Sequence, residues 1–521
     1  MLMNAPVPGS AEERRLFAAL QQRLPVMFER IFDYPQAPRT VVVIPSLSLD
    51  QEVLAKVSGI HYYEERLLCL LMLLQMPRTR LIYVTSQAIH PAIIDYYLSL
   101  LPGIPGEHAR RRLTLLNCHD ASPKSLTRKV LERPRLVRRI RNAIRDPASA
   151  HMTCFNSTPL ERTLAVRLNI PLYACDPARA DLGSKSNSRK LFRSAGVDLP
   201  PGMEDLRDVA DIAEALATLK HQDPKLRRAV IKLNEGFSGE GNALFHYDGA
   251  PADDSLAAWV SRELPLRLRF EAADESWERY KAKFEQMGGI VEAFIDVAAK
   301  RSPSVQCRIN PLGEVCILST HDQLLGGPSG QIFLGCTFPA DARYRLEIQD
   351  AGARIGALLR DRGALGRFSV DFVSAPTEAG WRHYAIEINL RKGGTTHPYL
   401  MLEFLTGGAY NPETGLFTTP MDRPRYYYAT DNLHRERYRG LTPDDLIDIA
   451  VYHGLHFNSA HQEGVVFHLL GALSEFGKLG VLSIGESPER ARQLYDEAVQ
   501  RLDEEAARAR FDATGMSLSI P

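Results

Sequence analysis

The sequence carries no net charge: 63 Lys and Arg stand against 63 Asp and Glu in 521 residues. A dedicated nucleic-acid binder needs excess positive charge, so that class is disfavoured. Cysteine is sparse and scattered, at 69, 118, 154, 175, 307, 316 and 336, with no CxxC pair. That argues against a zinc site or a disulfide framework and fits a reducing compartment. Long apolar runs are missing too. The longest, Leu67 to Leu74, is far short of the ~20 residues that cross a bilayer. The stretch Ala11 to Phe32 is amphipathic, with Phe17, Leu20, Leu24 and Phe28 at helical spacing, but Glu12, Glu13 and Glu29 make it a poor targeting peptide. There is no GxGxxG, no Walker A lysine, no internal repeat and no low-complexity segment. These absences leave a cytoplasmic protein with no nucleic-acid or membrane partner as the expectation.

What is present is ordinary globular composition, 45% hydrophobic and 24% charged, long enough for about two to four domains. Residues 1–178 read as an α/β unit. Short β-rich runs at Val41 to Pro45, Leu81 to Val84, Leu113 to Leu116 and Met152 to Phe155 alternate with helical patterns at Tyr63 to Gln75, Pro91 to Leu101 and Ser125 to Ile144. That order implies a mostly parallel sheet. Pro134 should break the third helix. The basic residues around it, Arg128 to Arg141, read as a solvated helix face. A polar stretch near 180 marks a boundary. A mixed α+β region fills 179–428, and a smaller α+β segment fills 429–521, with strands expected over Gly464 to Leu473 and Gly480 to Gly485 and a terminal helix from Glu489.

The chemistry gathers around Glu387-Ile388-Asn389-Leu390-Arg391. Strand alternation puts Glu387, Asn389 and Arg391 on one face. Two oxygen ligands and a guanidinium suit a hard divalent cation beside a phosphate. Asp371 sits mid-strand in Phe368-Ser369-Val370-Asp371-Phe372 and calls for a metal or a partner. An edge strand presenting the same residues to solvent is the alternative. Upstream, Lys232 ends an apolar strand, and glycines at 236, 239 and 241 follow. Such a turn can offer bare N–H groups to phosphate, or it can be a plain hairpin. A hairpin is expected around Pro311-Leu312-Gly313, followed by a loop from Thr320 to Gln331. That loop and the segment Lys392 to Pro398 are rich in glycine and uncharged donors, as substrate loops are.

In order and spacing, Lys185, Lys232 with its glycine turn, Val291 to Ile295, Asp371 and Glu387-Ile388-Asn389 together resemble the ATP-grasp fold over about residues 30–410. His321-Asp322-Gln323, Gly393 to Pro398 and Gly477 to Gly480 resemble the peptide-ligase group related to the pheganomycin ligase. The resemblance implies a pre-ATP-grasp α/β domain, an ATP-grasp α+β core and a small C-terminal α+β domain. It implies an ATP-dependent carboxylate–amine ligase working through an acylphosphate, with ADP and phosphate released. ATP and Mg²⁺ would be the cofactors, with two ions and Mn²⁺ as a substitute, and small-molecule carboxylates and amines the partners. Lys185, Lys232, Ser238 and Gly239 would hold the phosphates. The backbone of Glu292, Ala293, Phe294 and Ile295 would read adenine. Asp371, Glu387 and Asn389 would hold the metals, and Arg308 and Arg391 would stabilise the transferred charge. His321, Gln323, Gln331, Thr395, Thr396 and His397 would face substrate, although both histidines have a structural reading as well. Ser302, Pro303 and Ser304 stand where many relatives carry a ribose-binding acid. A kinase or acyl-CoA-forming enzyme on the same fold, or a non-catalytic ATP-binding regulator, remain as alternatives.

Overall fold

The computed structural model describes residues 6–31, 34–48, 54, 59–236, 241–272, 274–297, 299–326, 330 and 332–515, with side chains to residue 508. Four parallel strands come first: β1 (Arg39–Ile44), β2 (Thr79–Thr85), β3 (Leu113–Asn117) and β4 (Ala150–Cys154), in the order β3-β2-β1-β4. The apolar run at β1 serves both faces of this sheet. Val42 and Ile44 pack with Phe17, Leu126 and Leu164, and Val41 and Val43 pack with Leu67, Leu68 and Leu71. Such double burial is typical of parallel strands. Pro134 breaks the third helix as expected, into Leu126–Leu131 and Pro134–Ala143. Arg128, Arg135, Arg138, Arg139 and Arg141 are exposed. The expected α-helix at Tyr63 to Gln75 is instead a 3₁₀ helix over Ile60–Gln75, an unusually long run for that geometry.

The next sheet is antiparallel. It contains β5 (Gly202–Leu206), β6 (Arg228–Leu233), β7 (Asn242–His246), β8 (Arg269–Phe270) and β9 (Gly289–Ala293), in the order β5-β9-β6-β7-β8. The third sheet is built from β10 (Pro303–Ile309), β11 (Val315–Gly326), β12 (Ile332–Phe338), β13 (Gly366–Thr377) and β14 (Gly380–Asn389). After a two-stranded hairpin, β15 (Ala409–Asn411) and β16 (Leu416–Thr418), the chain returns to the third sheet with β17 (Tyr426–His434), β18 (Gly464–His468) and β19 (Lys478–Gly485). The order is β14-β13-β10-β11-β12-β17-β19-β18, so the C-terminal strands extend the sheet that carries Asp371 and Glu387.

Two expectations are corrected here. Of the loop expected from Thr320 to Gln331, Thr320 to Gly326 is the second half of β11, paired to β10 at Val305↔Thr320 and Ser304↔His321 and to β12 from Asp322↔Thr337 to Gly326↔Ile332. Gly327 to Ser329 and Gln331 lie outside the described residues. The strand expected over Gly464 to Leu473 stops at His468, where Leu469 takes φ 55° and turns the chain into short helices at Leu470–Ala472 and Leu473–Phe476.

Alternation along β10 and β13 sorts the third sheet's faces. Val305, Cys307, Phe368, Val370 and Phe372 face a core with Ile348 and Ile355 of the helix Arg345–Asp361 and with Leu191 and Phe192 of the helix Lys185–Ser194. Ser304, Ser369, Asp371 and Val373 face the other way, into a cleft.

Candidate active site

The cleft encloses about 930 Å³ between the two antiparallel sheets and the N-terminal unit. Its wall is set by register. Asp371 of β13 is the direct cross-strand partner of Glu387, and Ser369 is that of Asn389. Gln323 Nε2 donates to Asp371 Oδ1 at 2.8 Å, and Asn389 Nδ2 donates to Asp371 Oδ2 at 3.0 Å, which turns the Asn389 carbonyl oxygen away from it. Burial, and then the neighbouring Glu387 charge, push the Asp371 carboxyl well above the usual range. Burial acts against ionisation of Glu387 too, but the Lys185 ammonium, 2.5 Å from its Oε2, leaves it below its ordinary value. Lys185 opens its helix because the Ser184 hydroxyl caps it, accepting from the Asn187 N–H. Among the described residues no group of three or more His, Cys, Asp or Glu gathers as a metal cluster, so the oxygen set here rests on two carboxylates and the Asn389 carboxamide. Two opposed carboxylates and a carboxamide form an oxygen set that fits Mg²⁺.

The opposite wall is the β6–β9 pair. Lys232 Nζ lies 2.5 Å from Glu292 Oε1, and Arg189 Nη1 donates to Glu292 Oε2 at 3.1 Å. Arg189 also reaches Glu204 Oε2 at 3.2 Å. All four side chains are buried or nearly so. The Glu292 side chain thus anchors cations. At the end of β9, the Ala293 N–H is taken by Pro201 O, and just beyond it the Phe294 N–H by Arg228 O. Ala293, Phe294 and Ile295 all line the cleft. Ser238, Gly239 and Gln331 lie outside the described residues.

Other expected site residues divide. Arg391, Gln323 and Thr395 line the cleft. Thr396 sits behind it: its hydroxyl accepts from the Gly393 N–H and donates to Gln306 Oε1, both at 3.0 Å. This fixes the turn, whose Gly394 approaches Phe333 so closely that a Cβ would lie 2.5 Å from the ring. Arg308 is not beside Arg391. Two positions below Gln306 on β10, it faces Arg367 across the ladder, and Tyr173, Cys316 and Glu403 supply the negative field around it. His321 is buried among Phe338 and Tyr427, bonded to the Tyr427 hydroxyl at 2.6 Å, and burial drives its pKa down to about 3. His397 donates Nδ1–H to the Arg66 carbonyl at 3.1 Å and stacks on His468 at 4.2 Å. These two histidines take their structural reading.

Sequence reasoning missed Tyr63, Arg66, Asp431 and Asn432, which line the cleft with Arg391; they come from the 3₁₀ helix and β17, and no local motif announces them. Lys478, which lines it too, lies in the Gly477 to Gly480 motif, but the resemblance gives it no role.

Residues 178–250 and 254–413 match the family described as "IQCH-like, ATP-grasp", and residues 445–498 match the "PGM1 C-terminal domain". The chain is 34% identical over 472 residues to L-propargylglycine–L-glutamate ligase of Streptantibioticus cattleyicolor, covering 89% of this chain and 94% of that one. It is 26% identical over 429 residues to IQ motif-containing protein H of Danio rerio, covering 74% of this chain but 40% of that protein. Two solved structures share the fold at TM-score 0.52 and 12% identity. They are the biotin carboxylase domain of 2-oxoglutarate carboxylase from Hydrogenobacter thermophilus with MgADP, ADP and bicarbonate, and biotin carboxylase from Campylobacter jejuni with a β,γ-ATP ligand. Each covers 89% of this chain, and 89% and 92% of theirs. The chain belongs to the ATP-grasp family of ATP-dependent carboxylate–amine ligases. ATP and Mg²⁺ are the cofactors of this fold. Among the described residues, no helix is long and apolar enough to cross a membrane.

Proposed function

We propose that this protein joins two amino acids, or an amino acid and a short peptide, through an acylphosphate, releasing ADP and phosphate. One observation carries the reading: the opposed Asp371–Glu387 pair with Asn389 stands between Lys185 and Arg391 in one cleft. The identity to a ligase of two amino acids over most of the chain supports the substrate class.

The residues divide the work. Lys185 and Lys232 exchange their carboxylate partners for phosphate oxygens when ATP enters. The backbone from Glu292 to Ile295 takes the adenine edge. Asp371, Glu387 and Asn389 would hold two Mg²⁺, with Mn²⁺ as a substitute; the ions supply charge neutralisation on the triphosphate. The substrate carboxylate attacks the γ-phosphorus and ADP leaves. The ammonium of the second substrate first gives one proton to solvent. The neutral amine then attacks the acyl carbon, the carbon–oxygen bond to phosphate breaks, and phosphate leaves with the amine's second proton. Arg391 steadies the oxygens that carry the charge in both steps, since phosphoryl transfer depends on positioning and electrostatics. Arg308 lies across the ladder from Arg367, in the field of Tyr173 and Glu403 and outside the cleft lining, and we assign it to supporting the sheet beneath this centre.

The test is ADP release and product mass over a panel of amino acids and dipeptides. A ligase forms ADP only when carboxylate and amine are both present. ADP formed with one substrate alone would identify a kinase, pyrophosphate an adenylating enzyme, and no turnover with any pair a regulator.

A further inference from the structure

At the end of the cleft away from Lys232, charged side chains from three distant segments converge. Arg66, on the 3₁₀ helix, donates Nη2 to Asp431 Oδ2 of β17 at 2.5 Å, across 365 positions of sequence. Lys478, which opens β19, donates Nζ to the Tyr63 hydroxyl at 2.5 Å, across 415 positions. The Tyr63 ring lies 4.2 Å from the Arg66 guanidinium and 5.0 Å from the Lys478 ammonium, and the Phe155 ring lies 5.9 Å from the guanidinium. His397 holds the Arg66 main-chain carbonyl. Arg66 and Asp431 are only 15% and 12% exposed, and they line the same cavity as Arg391, Tyr63 and Lys478.

This is not a solvated surface pair. A surface pair fluctuates and contributes little, whereas these cations are braced on aromatic faces and a fixed backbone. The Arg66 Nε–H is buried and, among the described residues, has no partner, so a donor remains to be satisfied. The charges do not balance either: Arg66 and Lys478 oppose the single carboxylate of Asp431. The cleft lining as a whole balances, with Arg66, Lys185, Lys232, Lys300, Arg391 and Lys478 against six carboxylates, so the excess is local: a neutral amino acid with one carboxylate and one ammonium would leave one cation of this trio without a countercharge. A second carboxylate on the ligand would cancel it.

We propose that Arg66, Asp431 and Lys478 form the binding site of the amine substrate and select an acidic amino acid, or a peptide that begins with one. Asp431 receives the ammonium, and Arg66 and Lys478 receive the two carboxylates. The site rests on the ligase reading, because it lies past Gly393 and Gly394 from Arg391, where an attacking amine has to wait. An acidic acceptor would explain why residues of both the N-terminal unit and the C-terminal strands are brought to the cleft.

The experiment is calorimetric binding to the full chain loaded with a non-hydrolysable ATP analogue and Mg²⁺, using L-glutamate, L-glutamine and N-acetyl-L-glutamate as probes. The wild type is expected to bind L-glutamate at least tenfold more tightly than either other probe. Lys478→Met should reduce the glutamate-to-glutamine ratio to near one, and Asp431→Asn should remove the preference over the N-acetyl compound. Nucleotide binding reports folding in both variants. Equal binding of the three probes by the wild type would overturn the proposal, as would ratios unchanged in both variants. Because no turnover is read, this outcome is independent of the ADP-release test: a protein that binds L-glutamate selectively but makes no product would sink the ligase reading and not the site.

Discussion

The two ends of the cleft are built differently. At the nucleotide end the groups come from neighbouring strands and one helix between residues 185 and 391, and buried countercharges stand behind them: Lys232 on Glu292, Glu292 on Arg189, Arg189 on Glu204. At the acceptor end, Arg66 and Lys478 come from opposite ends of the chain and lean on tyrosine, phenylalanine and one aspartate. A triphosphate with metal is the same ligand throughout a family, and a rigid prepaired set suits it. An acceptor varies, and Arg66, Asp431 and Lys478 sit on the 3₁₀ helix and on β17 and β19, several strands away from β13 and β14 in the same sheet, where side chains can be changed without altering the Asp371–Glu387 register.

The sharpest way to test that division is to remove a charge at the shared centre. Glu387→Gln keeps shape but loses one of two opposed carboxylates. Turnover should fall about 10³-fold, equivalent to about 4 kcal/mol of transition-state stabilisation, with circular dichroism unchanged. Near-normal turnover at saturating Mg²⁺ would remove Glu387 from the metal set. A smaller effect probes the support behind the nucleotide end. Glu292→Gln leaves Lys232 and Arg189 buried with Glu204 as the nearest acid in their chain of pairs. Breaking such a buried pair costs about 3 kcal/mol, so the urea midpoint should drop and the ATP analogue should bind more weakly. Binding of the amine substrate should change less. Equal losses at both ends would show that the two are not built independently.

The same contrast explains what was legible in the sequence. Period-two alternation placed Glu387 and Asn389 together and put Asp371 on the adjoining strand, because register in an antiparallel pair is local information. The parallel strands at Val41, Leu81, Leu113 and Met152 were equally legible from their apolar runs. Arg308 was not. Its residue type suited phosphate, but four positions of travel along β10 carry it from the cleft at Ser304 to the half-buried Arg367 and Glu403, a displacement that composition does not reveal. His321 sits in a donor-rich stretch that reads as loop, yet pairing with Ser304 of β10 makes it strand, and its ring meets the Tyr427 hydroxyl. Arg66 and Asp431 were invisible for a different reason. Their meeting depends on β17 joining the sheet beside β12, a pairing between Gly335 and Thr430 that no short-range pattern encodes.

The smallest effect concerns how the 3₁₀ helix that carries Arg66 is held. Glu65, its neighbour, accepts the Gly471 N–H at 3.1 Å and so ties that helix to the C-terminal region. Burial raises its carboxyl from 4.5 to about 8, with the Glu64 charge adding to the rise against hydrogen bonds from Gly471 and Leu470. The sign follows from proton counts. Below pH 4.5 both folded and unfolded chains hold the proton. Between there and pH 8 the folded chain keeps a proton that the unfolded chain has lost, so stability falls as pH rises, and it levels off above the folded value. Replacing the carboxyl with an amide keeps an acceptor for Gly471 and removes the titration. Between pH 6 and 8.5 the wild type should therefore lose at least about 1 kcal/mol more unfolding free energy than Glu65→Gln, read from urea midpoints at each pH. If the acceptor end depends on this tie, the KM for the amine should rise over the same interval in the wild type and stay flatter in the variant, while the KM for ATP follows one course in both. Parallel pH profiles for stability in the two proteins would mean that Glu65 ionises without strain, and that the helix is positioned by its packing on Leu67, Leu68 and Leu71 alone.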